Sequence, residues 1–173
     1  MRELSQQTIL QAIQEVRTVY LVKQEVRPGV RMSLFEINNG LCEDFAEDVL
    51  AKLRGWGIAE SDNLYAVETA GFYKDYETNE DWDSKLLREH WNIKPPSGTT
   101  WKKLNAISFG AHIWVVAKVG PGDSWLHFDA ECDTGVSSFF ELPMFHRYVH
   151  DTWPTEEDMK SWPADKVWYP AAA

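Results

Sequence analysis

The chain has 173 residues, 44% hydrophobic and 25% charged, with a formal net charge of −10 at pH 7. That length and balance fit one globular domain spanning residues 1–173 and speak against a disordered chain. The acidic charge runs against nucleic-acid binding, which needs a basic face, and no basic cluster or apolar run of about 18 residues offers a membrane anchor or span.

In chain order, Ile9, Ile13, Val16 and Tyr20, with Leu4 a turn earlier, recur at helical spacing and predict an amphipathic helix over residues 4–20. Its polar start lacks the apolar centre of a signal peptide. Pro28-Gly29 breaks the pattern, and Asn38-Asn39-Gly40 reads as a turn or loop. From Cys42 the helical period returns. Phe45, Val49, Leu50 and Leu53 make one stripe, and Glu43, Asp44, Glu47, Asp48 and Lys52 the polar side, until Gly55 and Gly57 end it. Residues 63–73 predict a strand, 79–91 a short helix, and Pro95 to Gly98 a loop. Residues 106–119 predict a second strand, Gly120 to Asp123 a turn, and 124–131 the return strand of a hairpin that ends near Cys132 and Asp133. The Trp/Pro-rich tail, with Trp153, Trp162 and Trp168, predicts an extended segment anchored by its indoles. Helices followed by a strand-rich half give an α+β class, the N-terminal helices packed on an antiparallel sheet.

Cys42 stands where a loop delivers it to the start of a helix. Unsatisfied N–H groups and the positive end of the helix dipole favour thiolate there and can hold an oxyanion. His112 lies on one predicted strand and Asp129 on the next, so a carboxylate can orient an imidazole whose other nitrogen faces the thiol. Cysteine, base and orienting acid are the minimum set for thiol-based acyl transfer. The blander readings are a structural thiol, a core histidine and an edge carboxylate; their joint pattern favours catalysis. His127 shares a strand face with Asp129 by period two, as a supporting partner of the site or an ordinary structural residue. Trp114 is a core or cleft wall. Cys42, His112, His127 and Asp129 match no compact metal spacing, so no metal and no cofactor is expected. The two cysteines, Cys42 and Cys132, suit a reducing compartment, so the expected location is cytoplasmic.

The stretch GLCEDFAEDVLAKLRGWGI resembles the nucleophile helix of transglutaminase-like proteins of the papain-like superfamily, with one extra residue, Glu43, between the Cys and Asp-Phe-Ala. HIWVVAKVGPGDSWLHFDAE resembles the second signature of that family: a His, a Trp two residues on, a hairpin turn, another Trp and an Asp. DAECDTGVSSFFELPMFHRYV is also similar to small papain-like proteins of phage and bacterial genomes. The resemblance implies a papain-like fold, with Cys42 as nucleophile, His112 as base and Asp129 as orienting acid. It implies a hydrolase or acyltransferase (peptidase, deamidase or crosslinking enzyme) acting on a protein or peptide substrate through a thioester. Glu36 stands where papain-like proteases carry a Gln that helps form the oxyanion hole, and Asn38 or Asn39 is the alternative amide donor. The rival reading is a papain-like fold without turnover, serving as a protein-binding module.

Overall fold

The computed structural model describes residues 1–22, 25–69, 91, 93–105, 107 and 111–168. The helix expected over 79–91 lies outside these residues apart from Trp91, as do 70–73 of one expected strand and most of the first five residues of the next.

Helix α1 (Gln6–Leu21) begins at Ser5, whose hydroxyl accepts the Thr8 N–H while the Thr8 hydroxyl accepts the Ser5 N–H. The exchange satisfies backbone donors that a helix start leaves bare. Ile9, Ala12, Ile13, Val16 and Tyr20 then fall on one buried face, as their spacing predicts. A small hairpin of β1 (Glu25–Arg27) and β2 (Val30–Arg31) turns at Pro28-Gly29. Helix α2 (Leu34–Asn38) follows, capped by the Ser33 hydroxyl and buried along its whole length. Five residues are too few for a helical period to stand out, and Asn38, expected in a turn or loop, is the last residue of this helix.

Helix α3 (Cys42–Gly55) buries Phe45, Ala46, Val49, Leu50 and Leu53. It ends through Gly57, at φ +90, whose N–H reaches the Arg54 carbonyl while the Ile58 N–H reaches Leu53. This left-handed closure satisfies two terminal carbonyls and is one that glycine adopts without strain.

Strands β3 (Leu64–Thr69), β4 (His112–Gly120), β5 (Ser124–Asp129) and β6 (Cys132–Val136) form an antiparallel sheet in that order. The β4–β5 hairpin turns at Pro121 to Asp123, as predicted. The return strand stops at Asp129, two residues short of the expectation. Asp129 Oδ1 accepts the Glu131 N–H at 2.9 Å, a side-chain-built turn that reverses the chain. Cys132 therefore opens β6 rather than closing a strand. Gly135 lets β6 cross Phe128 closely, since a Cβ there would sit 2.6 Å from the Phe128 ring.

Alternation along β4 and β5 sorts the two faces. Val115, Ala117, Leu126 and Phe128 join the core under α1 and α3. Trp114 and Val116 join the opposite layer with Phe139, Phe140 and Phe145. That second layer is built from the turn Phe139–Glu141, helix α4 (Trp101–Asn105), which contributes Leu104, and helix α5 (Pro143–His150). The architecture is α+β, with α1 and α3 side by side against an antiparallel sheet. The tail departs from the expected extended course, because a Thr155 capping box starts helix α6 (Glu156–Ser161). One of its indoles anchors it, Trp153 meeting Phe35 and Tyr148 edge-on, while Trp162 and Trp168 pack on each other within the tail. No helix of the described residues is long and apolar enough to cross a membrane.

Candidate active site

Cys42 is the first residue of α3. The turn before it is tied to α2, the Asn39 N–H reaching Phe35 O and the Leu41 N–H reaching Ile37 O, each at 2.9 Å. Leu41 provides no side-chain cap, so the first N–H groups of α3 are not taken by one. The thiol is half-buried. Burial raises its pKa, but the His112 ring and the backbone N–H groups of Ile113 and Glu43 outweigh burial and hold it below the ordinary thiol value.

His112, at the start of β4, is 1% exposed. Its Nε2 lies 3.1 Å from Asp129 Oδ2. The contact follows from sheet register: Val115 faces Phe128 and Val116 faces His127, so one further step sets Asp129 opposite Trp114, diagonal to His112 on the same face. The two oxygens of Asp129 are divided, Oδ1 accepting from the Glu131 backbone and Oδ2 from the imidazole. A carboxylate there only accepts, so the ring proton sits on Nε2 and the Nδ1 lone pair is left for the thiol. Nδ1 is buried, and no described group meets it at hydrogen-bond geometry. The ring is fixed by Trp114, stacked at 6.0 Å, and by the edge of Phe145 at 5.6 Å. Burial acts to lower the imidazole pKa, but Asp129 and then Cys42 prevail and push it up to about 9. The thiol is thus lowered and the imidazole raised, each in part by the other.

The other residues singled out in the sequence take distinct places. His127 accepts the Trp114 indole N–H on Nδ1 at 3.0 Å and packs edge-on against Trp91 at 4.9 Å. Burial lowers its pKa to about 3, so it is a neutral brace for Trp114. Asn38, a candidate oxyanion donor, is buried, and its Nδ2 donates to Glu131 Oε1 at 3.0 Å. Asn39 is exposed at the end of α2 and lines a cleft of about 600 Å³ with Phe35, Glu36, Met159 and Lys160. Cys132 is buried, its thiol pushed up to about 12 by burial first and by Asp129 second. The acidic side chains at 43, 44, 47 and 48 form an exposed helix face, from which Asp48 accepts the Tyr20 hydroxyl. Among the described residues no group of three or more His, Cys, Asp or Glu side chains is placed to hold a metal ion.

Sequence reasoning missed Glu131 and Arg147. They form a buried ion pair, Arg147 Nη1 donating to Glu131 Oε1 at 2.7 Å and Nη2 to Oε2. The available signal was slight: Arg147 shares the apolar side of its helix with Met144, a place where an unpaired charge is rare.

The arrangement can transfer a proton from sulfur to an imidazole held by a carboxylate and present the thiolate at a helix start. No protein-family model matches the chain, and neither a curated protein nor a solved structure matches it.

Proposed function

We propose that this chain is a cysteine enzyme of the transglutaminase-like, papain-like type, a hydrolase or acyltransferase acting on an amide or peptide carbonyl of a protein substrate. The observation that carries the reading is the 3.1 Å contact of His112 Nε2 with Asp129 Oδ2, behind a ring that interacts with the half-buried Cys42 thiol. Three residues from separate parts of the chain carry the groups that thiol-based acyl transfer needs, and the contact of two of them supports the reading.

In this reading Cys42 Sγ loses its proton to His112 Nδ1 and attacks the carbonyl carbon. The oxyanion is held by N–H groups at the start of α3, where the helix dipole adds positive potential. The imidazolium returns its proton to the departing amine, the C–N bond breaks and a thioester forms. Water or a second amine then attacks, His112 takes its proton, and sulfur leaves as thiolate. Water gives hydrolysis or deamidation and an amine gives a crosslink. Both cysteines are free thiols, which fits work in the reducing cytoplasm.

Iodoacetamide labelling at graded pH tests the proposal. Cys42 in the wild type is expected to alkylate well below pH 8 and to lose that reactivity in His112→Ala. Ordinary thiol behaviour in both proteins would refute catalysis and favour the binding-module reading.

A further inference from the structure

The turn that follows Asp129 is gripped from several directions. The Arg17 Nε of α1 donates to Ala130 O at 2.6 Å, and Arg17 pairs with Asp133 at 2.7 Å. Arg147 of α5 clamps the Glu131 carboxylate with both terminal nitrogens. The same carboxylate accepts Asn38 Nδ2 at the last residue of α2. Glu131, Arg147 and Asn38 are 3%, 2% and 3% exposed, so these bonds form out of water, where an isolated charge would be costly. The Arg147 guanidinium also lies over the Phe35 ring of α2, 5.0 Å from its centre.

Asn38 joins this cluster at a cost. Its Oδ1 is buried with no hydrogen-bond partner among the described residues, so its lost hydration is not made good. A small apolar residue at 38 would be free of that cost. What Asn38 does provide is a rigid link. Its amide must turn the N–H side toward the carboxylate, which fixes the end of α2. From there Asn39, Gly40 and Leu41 lead directly to Cys42, and Asn38 and Cys42 line one small cavity together with Asp129 and Ile113. The backbone N–H of Glu131 meanwhile divides the Asp129 oxygens.

We propose that Glu131, held by Arg147, is a positioning residue that sets the distance between the Cys42 turn and the Asp129 turn through Asn38. The proposal rests on the thiol-enzyme reading. Glu131 touches neither thiol nor imidazole and acts only through its neighbours. One carboxylate group thereby couples the placement of nucleophile and acid, two elements more than eighty positions apart in the chain.

The test is the pH dependence of iodoacetamide alkylation of Cys42 in the full chain, with circular dichroism and thermal unfolding to confirm folding. Two variants break the link differently. Asn38→Ala removes it and leaves the ion pair intact. The double variant Glu131→Leu/Arg147→Met removes both charges together, which folded proteins often tolerate. Each is expected to raise the thiol pKa and slow alkylation at pH 6.5 by about tenfold, with rates converging at high pH where the thiolate is complete. A change in stability alone would not move that profile. Wild-type profiles in folded Asn38→Ala, alongside a raised pKa in His112→Ala, would overturn the positioning role and leave the triad standing. A wild-type profile already matching His112→Ala would overturn both.

Discussion

Asp129→Asn is the sharpest probe of the triad, because the structure dictates how the new amide must sit. The Glu131 N–H donates to one side of this side chain at 2.9 Å, and that side must remain an oxygen. The amide nitrogen is therefore forced toward His112 Nε2, where Asp129 Oδ2 now stands at 3.1 Å. Two donors cannot face each other, so Nε2 gives up its proton and Nδ1 acquires one, aimed at the thiol. The base is then in the wrong tautomer. The charge effect adds to this. Asp129 is the foremost cause raising His112 against burial, to about 9 from 6.5, a preference for imidazolium worth roughly 3 kcal/mol. Losing most of it should lower the reactive thiolate at neutral pH by ~10²-fold. Asn matches Asp in size, so the fold should persist. The assay is the second-order rate of iodoacetamide alkylation from pH 5 to 10, with Asp129→Ala as a comparison that lacks the misplaced donor. Wild-type rates at pH 6–7 in folded Asp129→Asn would refute the reasoning.

The remaining expectations concern the buried groups. His127 is held near 3 by burial against 6.5 when unfolded. The unfolded chain therefore binds the extra proton, and stability falls as pH drops from 6.5 toward 3, by roughly 2 kcal/mol at pH 5. Urea unfolding of wild type and His127→Gln should show that slope only in the wild type, and parallel pH curves would contradict it. Arg147→Met alone strands the Glu131 carboxylate in the interior and should cost about 3–5 kcal/mol, whereas the double apolar variant should lie much closer to wild type. Denaturant midpoints decide between them, and equal losses would refute the pairing. Finally, the native protein at pH 7 should take iodoacetamide on Cys42 alone, with Cys132 reacting only after denaturation, since burial pushes its thiol up to about 12. Peptide mapping by mass spectrometry reads this directly, and native labelling of Cys132 would show that β6 does not shield it.

Local pattern was enough for much of the scaffold. The period of Ile9, Ile13, Val16 and Tyr20 found α1, the stripe from Phe45 to Leu53 found α3, and Gly120 to Asp123 found the β4–β5 hairpin, because each signal is complete within a few turns of chain. The same signals put Cys42 at a helix start and set His112 and Asp129 on adjoining strands. They did not reveal α2, β6 or α6, where the deciding features are a Ser33 cap, a turn built by the Asp129 side chain and a Thr155 cap.

Periodicity reports which side of an element is buried but is silent on what covers it. Sheet register alone decided that Asp129 reaches His112 while His127 braces Trp114, although both lie on one face of one strand. The packing of α3 on the sheet alone brought the Cys42 thiol to that ring, and the meeting of α5, α2 and the β5–β6 turn alone joined Arg147, Asn38 and Glu131. Such contacts depend on how rigid elements dock across the core. No short window of residues encodes that, so the sequence could nominate the three chemical groups while only the folded chain could bring them together.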